Sequence, residues 1–570
     1  MSRFAPRSPG SPLRPWMGAA AVVATLLLMI VLIAPLREFP IEDDWDYSKT
    51  VGNILQTGVF RRLEVTQATV LFPAMWGALW SKVFGYSFAT LRVSTLVLAC
   101  GALMFFYRLL GELEFDAPRR ALATLALLVA PAFVYLAFSF MTDVPFLFGL
   151  LGALYFYCRA VRQANARLAL IGSVFAALAF LARQQGALIP VAFVLFSVSN
   201  RAAFRPDGAS RSAERRATVK WMLAGAIIPL VVAGAFLAWL QFFGGANWAD
   251  RTRTLNGTLG FWLKPDTAGV VGRRLVIAAA TIGIYTLPVW LGLAPALSNA
   301  RRGWKTIRRG QQWVMALLAV AFAVVLVRLA MRDQWFPYLT DILTRRGLRP
   351  YLAYTAYELD AHRPFIFSLE LSAGLSAVAG VLGWILCALI VVRLRPRSSP
   401  ALACVYWTTA VLAAGSLTFF TYFERYLLPL IPGALIVLLD ATRRARLSLA
   451  IGVLGVGVVA LFSVALMQDY FAWNEARWKE GQALLTSSVP VESLDGGYEW
   501  NGWYLYDASM AYIRSHGSEM KIDPWQYVLD PEFLFAFQAP PNYRVVKTLE
   551  FATPLRAGGV DRFYLLQRER

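Results

Sequence analysis

The sequence predicts an all-α polytopic membrane protein of about thirteen transmembrane helices, followed by a small α/β domain outside the cytoplasm. Three observations predict it. Of 570 residues, 58% are hydrophobic and only 16% are charged, with a mean hydropathy of +0.52. The apolar residues fall in blocks of about 20, long enough to cross a hydrocarbon core of ~30 Å as helices. Lys and Arg gather in alternate loops between those blocks. This composition excludes an ordinary soluble enzyme, a disordered chain and a secreted disulfide scaffold. The short alternating segments of a β-barrel are absent.

The first block, 16–36, follows a basic, Pro/Ser-rich start carrying Arg3, Arg7 and Arg14. It is long for a signal peptide, and no small-x-small cleavage site precedes Arg37-Glu38, so it reads as an uncleaved span with a cytoplasmic N-terminus. Further spans are expected near 89–110, 120–139, 144–160, 167–183, 186–200, 219–243, 270–297, 312–331, 365–392, 400–420, 425–440 and 447–467. The loops then expected in the cytoplasm hold roughly 26 Lys/Arg, including Arg201, Arg205, Arg211, Arg215, Arg216 and Lys220 in one and Arg301, Arg302, Lys305, Arg308 and Arg309 in another. Their excess accounts for the net charge of +20. Basic charge spread over many short loops needs no nucleic acid, only anionic lipid.

Four longer segments are expected on the other face: 37–88, 244–269, 332–364 and 468–570. The chain thus divides into a transmembrane domain, 1–467, with its outer loop 37–88, and a tail, 468–570. The tail mixes an amphipathic helix over 470–485 with β-rich runs at 543–551 and 561–567, and is expected to rest on the outer membrane face. Cys100, Cys158, Cys387 and Cys404 lie in or beside apolar stretches without a CxxC pair, and His362 and His516 are far apart. A disulfide framework, a zinc site and a multi-histidine metal site are not expected.

Four features carry candidate chemistry, each with a plainer reading beside it. Glu42, Asp43, Asp44 and Asp46 put four carboxylates within five residues after the first span. They suit either a solvated cap on the helix or a base held at the lipid–water boundary. Asp143, in Met141-Thr142-Asp143-Val144-Pro145, is either a helix cap or a second carboxylate at the same depth. Arg183 ends a span on the outer side, where it either snorkels to headgroups or binds a phosphate. Glu424-Arg425-Tyr426 opens a span as a local ion pair or as an arginine facing an anionic lipid. Trp500, Trp503 and Trp525 in the tail suit a sugar-stacking face, or an interfacial belt or the core of the domain. A transporter would place its charges near mid-span, whereas these lie at one interface. An interfacial reaction on a lipid-borne substrate fits better. The rival is a flippase for a lipid-linked sugar, which needs no base.

In order along the chain these segments resemble the GT-C glycosyltransferases, and among them the protein O-mannosyltransferases and the bacterial lipid A aminoarabinose transferases. Asp43-Asp44 with Tyr47, then Asn53-Ile54-Leu55-Gln56-Thr57-Gly58, is similar to the family's first outer loop. Thr142-Asp143-Val144-Pro145 matches its small-Asp-x-Pro element. Leu178-Ala179-Phe180-Leu181-Ala182-Arg183 matches Leu-Ala-Phe-Leu-x-Lys with Arg for Lys, and Arg425 through Pro432 matches Arg-Tyr-Leu-Leu-Pro-x-x-Pro. Asp44 stands where the family has Glu. Thr66-Gln67-Ala68-Thr69 stands where the aminoarabinose transferases carry Glu-Lys, which removes that donor-phosphate contact.

The resemblance implies transfer of one sugar, with inversion, from a polyprenyl-phosphate monosaccharide to a hydroxyl of an envelope glycan, lipid or protein at the periplasmic face of a bacterial inner membrane. Asp43 is then the base, Asp143 orients the acceptor and Asp44 supports the loop. Arg183 and Arg425 hold the donor phosphate, and Tyr47, Glu424 and Tyr426 support the acceptor side or the loop. No cofactor is required. A divalent metal on Asp43, Asp44 and Asp143 is conceivable but not indicated.

Overall fold

The structure, a computed structural model, describes residues 14–204, 211–242, 257, 259–297, 307–339, 342–343, 368–393, 399–419, 422–516, 531–556 and 558–569. Arg3, Arg7, Arg205, Arg301, Arg302, Lys305, His362, Trp525 and most of the outer segments 244–269 and 332–364 lie outside them.

The chain is a helical bundle with a small sheet at its C-terminal end. Its helices are α1 (Pro15–Ile33), α2 (Asp44–Thr57), α3 (Leu71–Phe84), α4 (Phe88–Glu112), α5 (Ala117–Val129), α6 (Pro131–Ala137), α7 (Asp143–Gln163), α8 (Ala166–Ala182), α9 (Leu188–Ser199) and α10 (Arg211–Phe242). There follow α11 (Thr267–Tyr285), α12 (Leu287–Gly292), α13 (Arg309–Ala330), α14 (Leu369–Arg393), α15 (Pro400–Thr418), α16 (Ile431–Ala441), α17 (Leu449–Thr486) and α18 (Tyr498–His516). Among the described residues nine helices are long and apolar enough to cross a membrane, or ten if the bent pair α5–α6 is one span. Each of the thirteen predicted spans overlaps a helix, and nine or ten of these helices are long and apolar enough to cross unaided. The span expected at 120–139 is broken by 65° between α5 and α6, where Pro131 removes a backbone donor. The segments at 167–183, 186–200 and 425–440 form only the shorter α8, α9 and α16, the last preceded by a 3-10 turn over Glu424–Leu430.

The outer loop 37–88 is largely helical. Apolar α3 exposes Met75, Leu79 and Val83, a spacing of four that lines one helix face. The helix expected at 470–485 is a continuation of α17, which runs 38 residues without a break. Nothing interrupts it, since no Gly or Pro occurs between 458 and 480. The tail's four strands, β1 (Leu494–Asp495), β2 (Phe533–Ala536), β3 (Tyr543–Ala552) and β4 (Val560–Arg568), are ordered β1-β2-β4-β3. The first pair is parallel and the others antiparallel, with a register shift in β3 between Val545 and Lys547. The predicted β-runs at 543–551 and 561–567 coincide with β3 and β4.

The tail grips the outer loop. Trp45 of α2 is fully buried, with Tyr498 and Tyr506 of α18 at ring-centroid distances of 5.9 and 5.6 Å. Three ion pairs flank it: Arg37–Glu475 at 2.8 Å, Lys49–Asp507 at 2.9 Å, and Glu64 with Arg514. Gly502 permits this approach, because a Cβ there would lie 2.2 Å from Cε2 of Trp45. Two effects therefore oppose each other in Gly502→Ala. Helix propensity favours Ala by about 1 kcal/mol, while overpacking a buried indole costs about 1–3 kcal/mol. The clash should win, and Gly502→Ala should melt earlier than wild type in detergent and be cleaved sooner within α18 by trypsin.

Candidate functional site

The site begins with a buried arginine. Arg92 of α4 donates from Nη1 to the carbonyls of Pro35 (2.7 Å) and Arg37 (3.0 Å), and from Nη2 to that of Phe39 (2.8 Å). Its guanidinium faces the rings of Phe39 and Phe471. This fixes the chain leaving α1. Glu42 then adopts a left-handed φ of 53°, and α2 starts directly after Asp43.

Each acidic residue of the cluster goes to a different partner. Asp43 occupies the N-cap position but makes no cap bond with its side chain. Its Oδ2 lies 3.2 Å from Nη1 of Arg425 and 3.5 Å from the Tyr47 hydroxyl, and its Oδ1 accepts from the Tyr498 hydroxyl at 2.8 Å. Asp44 accepts the backbone N–H of Phe140 (2.8 Å) and of Ile41 (3.3 Å), which stitches the loop to the 138–143 turn. Asp46 is bonded by the Thr66 hydroxyl, 2.6 and 2.8 Å from its two oxygens. The cluster is therefore not a solvated cap: Asp44 and Asp46 are buried.

Asp143 begins α7, where the helix dipole favours a carboxylate, while Thr142 takes the N-cap position. Its Oδ1 pairs with Nη1 of Arg183 at 2.5 Å, and its buried Oδ2 has no hydrogen-bond partner among the described residues. Arg183 leaves α8 in extended conformation, and Gly186 lets the chain fold back, since a Cβ there would lie 2.2 Å from the Phe180 nitrogen. The Arg183 guanidinium stands 5.2 Å from the Tyr426 ring centroid. Tyr426 follows Arg425, so the Asp43–Arg425 and Asp143–Arg183 pairs are neighbours. The predicted site residues thus converge, across 382 positions in the case of Asp43 and Arg425. Glu424 is not the partner of Arg425 in this arrangement. It is buried, accepts from the Tyr285 hydroxyl and lies 3.4 Å from the Leu343 nitrogen.

Burial dominates the ionisation of these acids. It pushes Asp44 up to about 8 against the pull of Arg92 and the two amides. It pushes Asp46 up to about 8, with Asp43 adding to it and Thr66 and Arg62 opposing. Glu424 also rises to about 8, opposed by the Leu343 amide. Tyr47 is raised by burial and then by Asp43 and Asp46. A carboxyl whose folded value lies above its unfolded one binds more protons folded, so its stabilisation is complete below pH ~4 and lost as pH rises through about 8. The purified protein should therefore melt at a lower temperature at pH 9 than at pH 6. In Asp46→Asn, with Thr66 intact, that fall should be shallower. A melting temperature equally steep in pH for both proteins would contradict this assignment.

Among the described residues no three His, Cys, Asp or Glu side chains are placed to hold a metal ion. Reasoning from the sequence missed Arg92, Tyr498, Glu499 and Arg477. The one available signal for Arg92 was a charge inside a predicted span.

Fold and site together define a polytopic membrane protein with a charged site where its helices meet the outer loop and the tail. Residues 71–239 match the family model described as dolichyl-phosphate-mannose-protein mannosyltransferase. This agrees with the resemblance drawn from the motifs. The matched segment contains Asp143 and Arg183, while Asp43 and Arg425 lie outside it. Among solved structures, the S. cerevisiae protein O-mannosyltransferase Pmt1-Pmt2 complex bound to the sugar donor is similar at 11% identity and a TM-score of 0.34, over 41% of this chain and 34% of that one. The chain thus spans about a third of that relative's length. ArnT from Cupriavidus metallidurans bound to undecaprenyl phosphate is similar at 15% identity and a TM-score of 0.41, over 97% and 98%. The Archaeoglobus fulgidus oligosaccharyltransferase AglB, in complex with an inhibitory peptide and a dolichol-phosphate, is similar at 16% identity and 0.37, over 88% and 59%. No curated protein sequence matches the chain.

Proposed function

We propose that the protein is an inverting glycosyltransferase that moves one sugar from a polyprenyl-phosphate carrier to a hydroxyl of an envelope glycan, lipid or protein. The observation that carries this reading is the adjacency of two arginine–carboxylate pairs, Asp43–Arg425 and Asp143–Arg183, bridged by Tyr426. One arginine beside one carboxylate is a structural ion pair. Two of each at one point supply both a base and a cationic seat for a phosphate.

Asp43 is the base: it takes the acceptor's hydroxyl proton as that oxygen attacks the anomeric carbon. The bond from that carbon to the phosphate oxygen breaks, and the electron pair leaves with the polyprenyl phosphate. Arg183 and Arg425 exchange their carboxylates for the donor phosphate and receive its growing charge. The buried Oδ2 of Asp143 accepts a hydrogen bond from the acceptor and orients it. Asp44 holds the loop, while Glu424, bonded by the Tyr285 hydroxyl and the Leu343 amide, anchors the turn that carries Arg425 and Tyr426. The scheme routes no step through a cofactor or metal. The charge distribution of the loops supports an N-terminus in the cytoplasm with the site and tail on the opposite face; the resemblance to bacterial members makes that face the periplasm of an inner membrane, where a lipid-carried donor is needed.

The test is donor consumption by the protein in nanodiscs. Undecaprenyl-phosphate-linked mannose, glucose and galactose would be supplied with envelope extract, and the labelled sugar followed by mass. Transfer to an extract component supports the reading. Movement of labelled lipid between leaflets of proteoliposomes without consumption would replace it with a flippase.

A further inference from the structure

We propose that the first turn of α18 belongs to the active site, with Tyr498 and Glu499 acting as positioning residues for Asp43. The inference rests on the reading of Asp43 as the base. The tail is then no platform beside the membrane domain but a component without which the base is not aimed.

Two adjacent side chains make the connection, by different routes. Tyr498 donates its hydroxyl to Oδ1 of Asp43 at 2.8 Å. Arg425 occupies the other oxygen until the donor phosphate draws it away, after which the Tyr498 hydroxyl still holds the carboxylate. The Asp43 side chain nevertheless remains 23% exposed, which leaves room for an acceptor hydroxyl. Glu499 acts on the backbone one residue earlier. Its Oε1 accepts the Glu42 N–H at 3.2 Å and the Tyr470 hydroxyl at 3.0 Å. Glu42 holds the left-handed φ that turns the chain into Asp43, a conformation a residue with a Cβ keeps only when its surroundings impose it. Glu499 is itself held by Arg477, whose Nη2 donates to Oε2 at 2.8 Å. Arg477 also donates to the Gly496 carbonyl at 3.0 Å and to Asn474, which donates in turn to the Pro40 carbonyl at 3.1 Å.

Arg477 and Glu499 are both buried. A buried ion pair adds little net stability compared with apolar side chains of the same volume. What it secures is geometry: it reaches the outer loop directly at the Glu42 N–H and, through Asn474, at the Pro40 carbonyl, both within three residues of Asp43.

Tyr498→Phe and Glu499→Gln test this in the full chain in nanodiscs. Phe keeps the ring against Trp45 and removes only the hydroxyl. The expected result for Tyr498→Phe is a kcat 10–100-fold lower, the scale of a hydrogen bond to a charged acceptor, with donor KM and melting temperature close to wild type. In an Asp43→Asn background, adding Tyr498→Phe should cost nothing further, because the group it positions is gone. Losses that multiply in the double variant, or a kcat unchanged in Tyr498→Phe, would overturn the proposal. Hydrogen exchange separates this failure from failure of the transferase reading. Amides 41–47 should exchange faster in Glu499→Gln, with the spans unchanged, even if wild type consumes no donor. Unchanged exchange there would sink the coupling. Faster exchange without turnover in wild type would overturn the role of these residues in catalysis while leaving the contact real.

Discussion

Asp43→Asn should abolish transfer while leaving donor binding intact. The change is nearly isosteric, and Asn can still accept from Tyr498. It cannot take a proton at neutral pH, and loss of a positioned general base costs typically 10²–10⁴-fold. The substitution also removes the negative charge 3.2 Å from Arg425, which frees that cation for a phosphate. The prediction therefore has two arms of opposite sign. In nanodiscs kcat should fall by about three orders of magnitude, and undecaprenyl phosphate, measured by native mass spectrometry, should bind at least as well as to wild type. Asp143→Asn should lose less, because an amide in its place still orients a hydroxyl. If Asp43→Asn retained turnover within tenfold of wild type, Asp43 would be an anchor for Arg425 and not a base.

The bundle was legible because hydropathy is a property of each segment alone. Where a span depends on its neighbours, the pattern was less informative. The block at 120–139 reads as continuous, yet Pro131 breaks it into two helices that meet at a sharp bend. Asp43, Asp143, Arg183 and Arg425 could be picked out because charged residues at the ends of apolar blocks are conspicuous. Their pairing could not. One of the two local readings joins Glu424 to Arg425, whereas folding turns these neighbours to opposite partners, Tyr285 and Asp43. Tyr498 reaches Asp43 across 455 positions, and no spacing rule connects the start of a helix in the tail with a loop after the first span. The tail's strands were visible by alternation, but the role proposed for it was not, because that role lies in two side chains and not in a pattern.

The site also depends on how its carboxylates are kept apart. Four acids within five residues would repel one another in a common low-dielectric space. The fold instead gives Asp44 two amides, Asp46 a threonine and Asp43 an arginine and a tyrosine, and turns Glu42 towards Tyr135. Asp43 is thereby the member of the cluster with a cation in contact and with solvent access. That selection, more than the density of acids, is what supports the proposal that Asp43 is the base.

Arg92→Met should cause the largest loss of stability of any single substitution around the site. Arg92 is fully buried and donates to three carbonyls of the chain between α1 and Asp43. Met fills much of its volume but donates nothing, leaving those carbonyls without the guanidinium, at about 1–3 kcal/mol for each one left unsatisfied. The charge of Arg92 also opposes the rise that burial imposes on Asp44, so Asp44 is held still more firmly in its neutral form in the Met variant. Several kcal/mol should follow, seen as a fall of many degrees in the melting temperature of detergent-solubilised protein. Arg92→Lys separates charge from shape. An ammonium keeps the field on Asp44 but lacks the planar fork that spans the carbonyls of Pro35, Arg37 and Phe39. Its melting temperature should lie between those of wild type and Met, and its activity below wild type at a temperature where both are folded. A Met variant melting within a degree of wild type would mean that the loop leaving α1 is held by Asn474 and Glu499 from the tail, and that Arg92 only fills space.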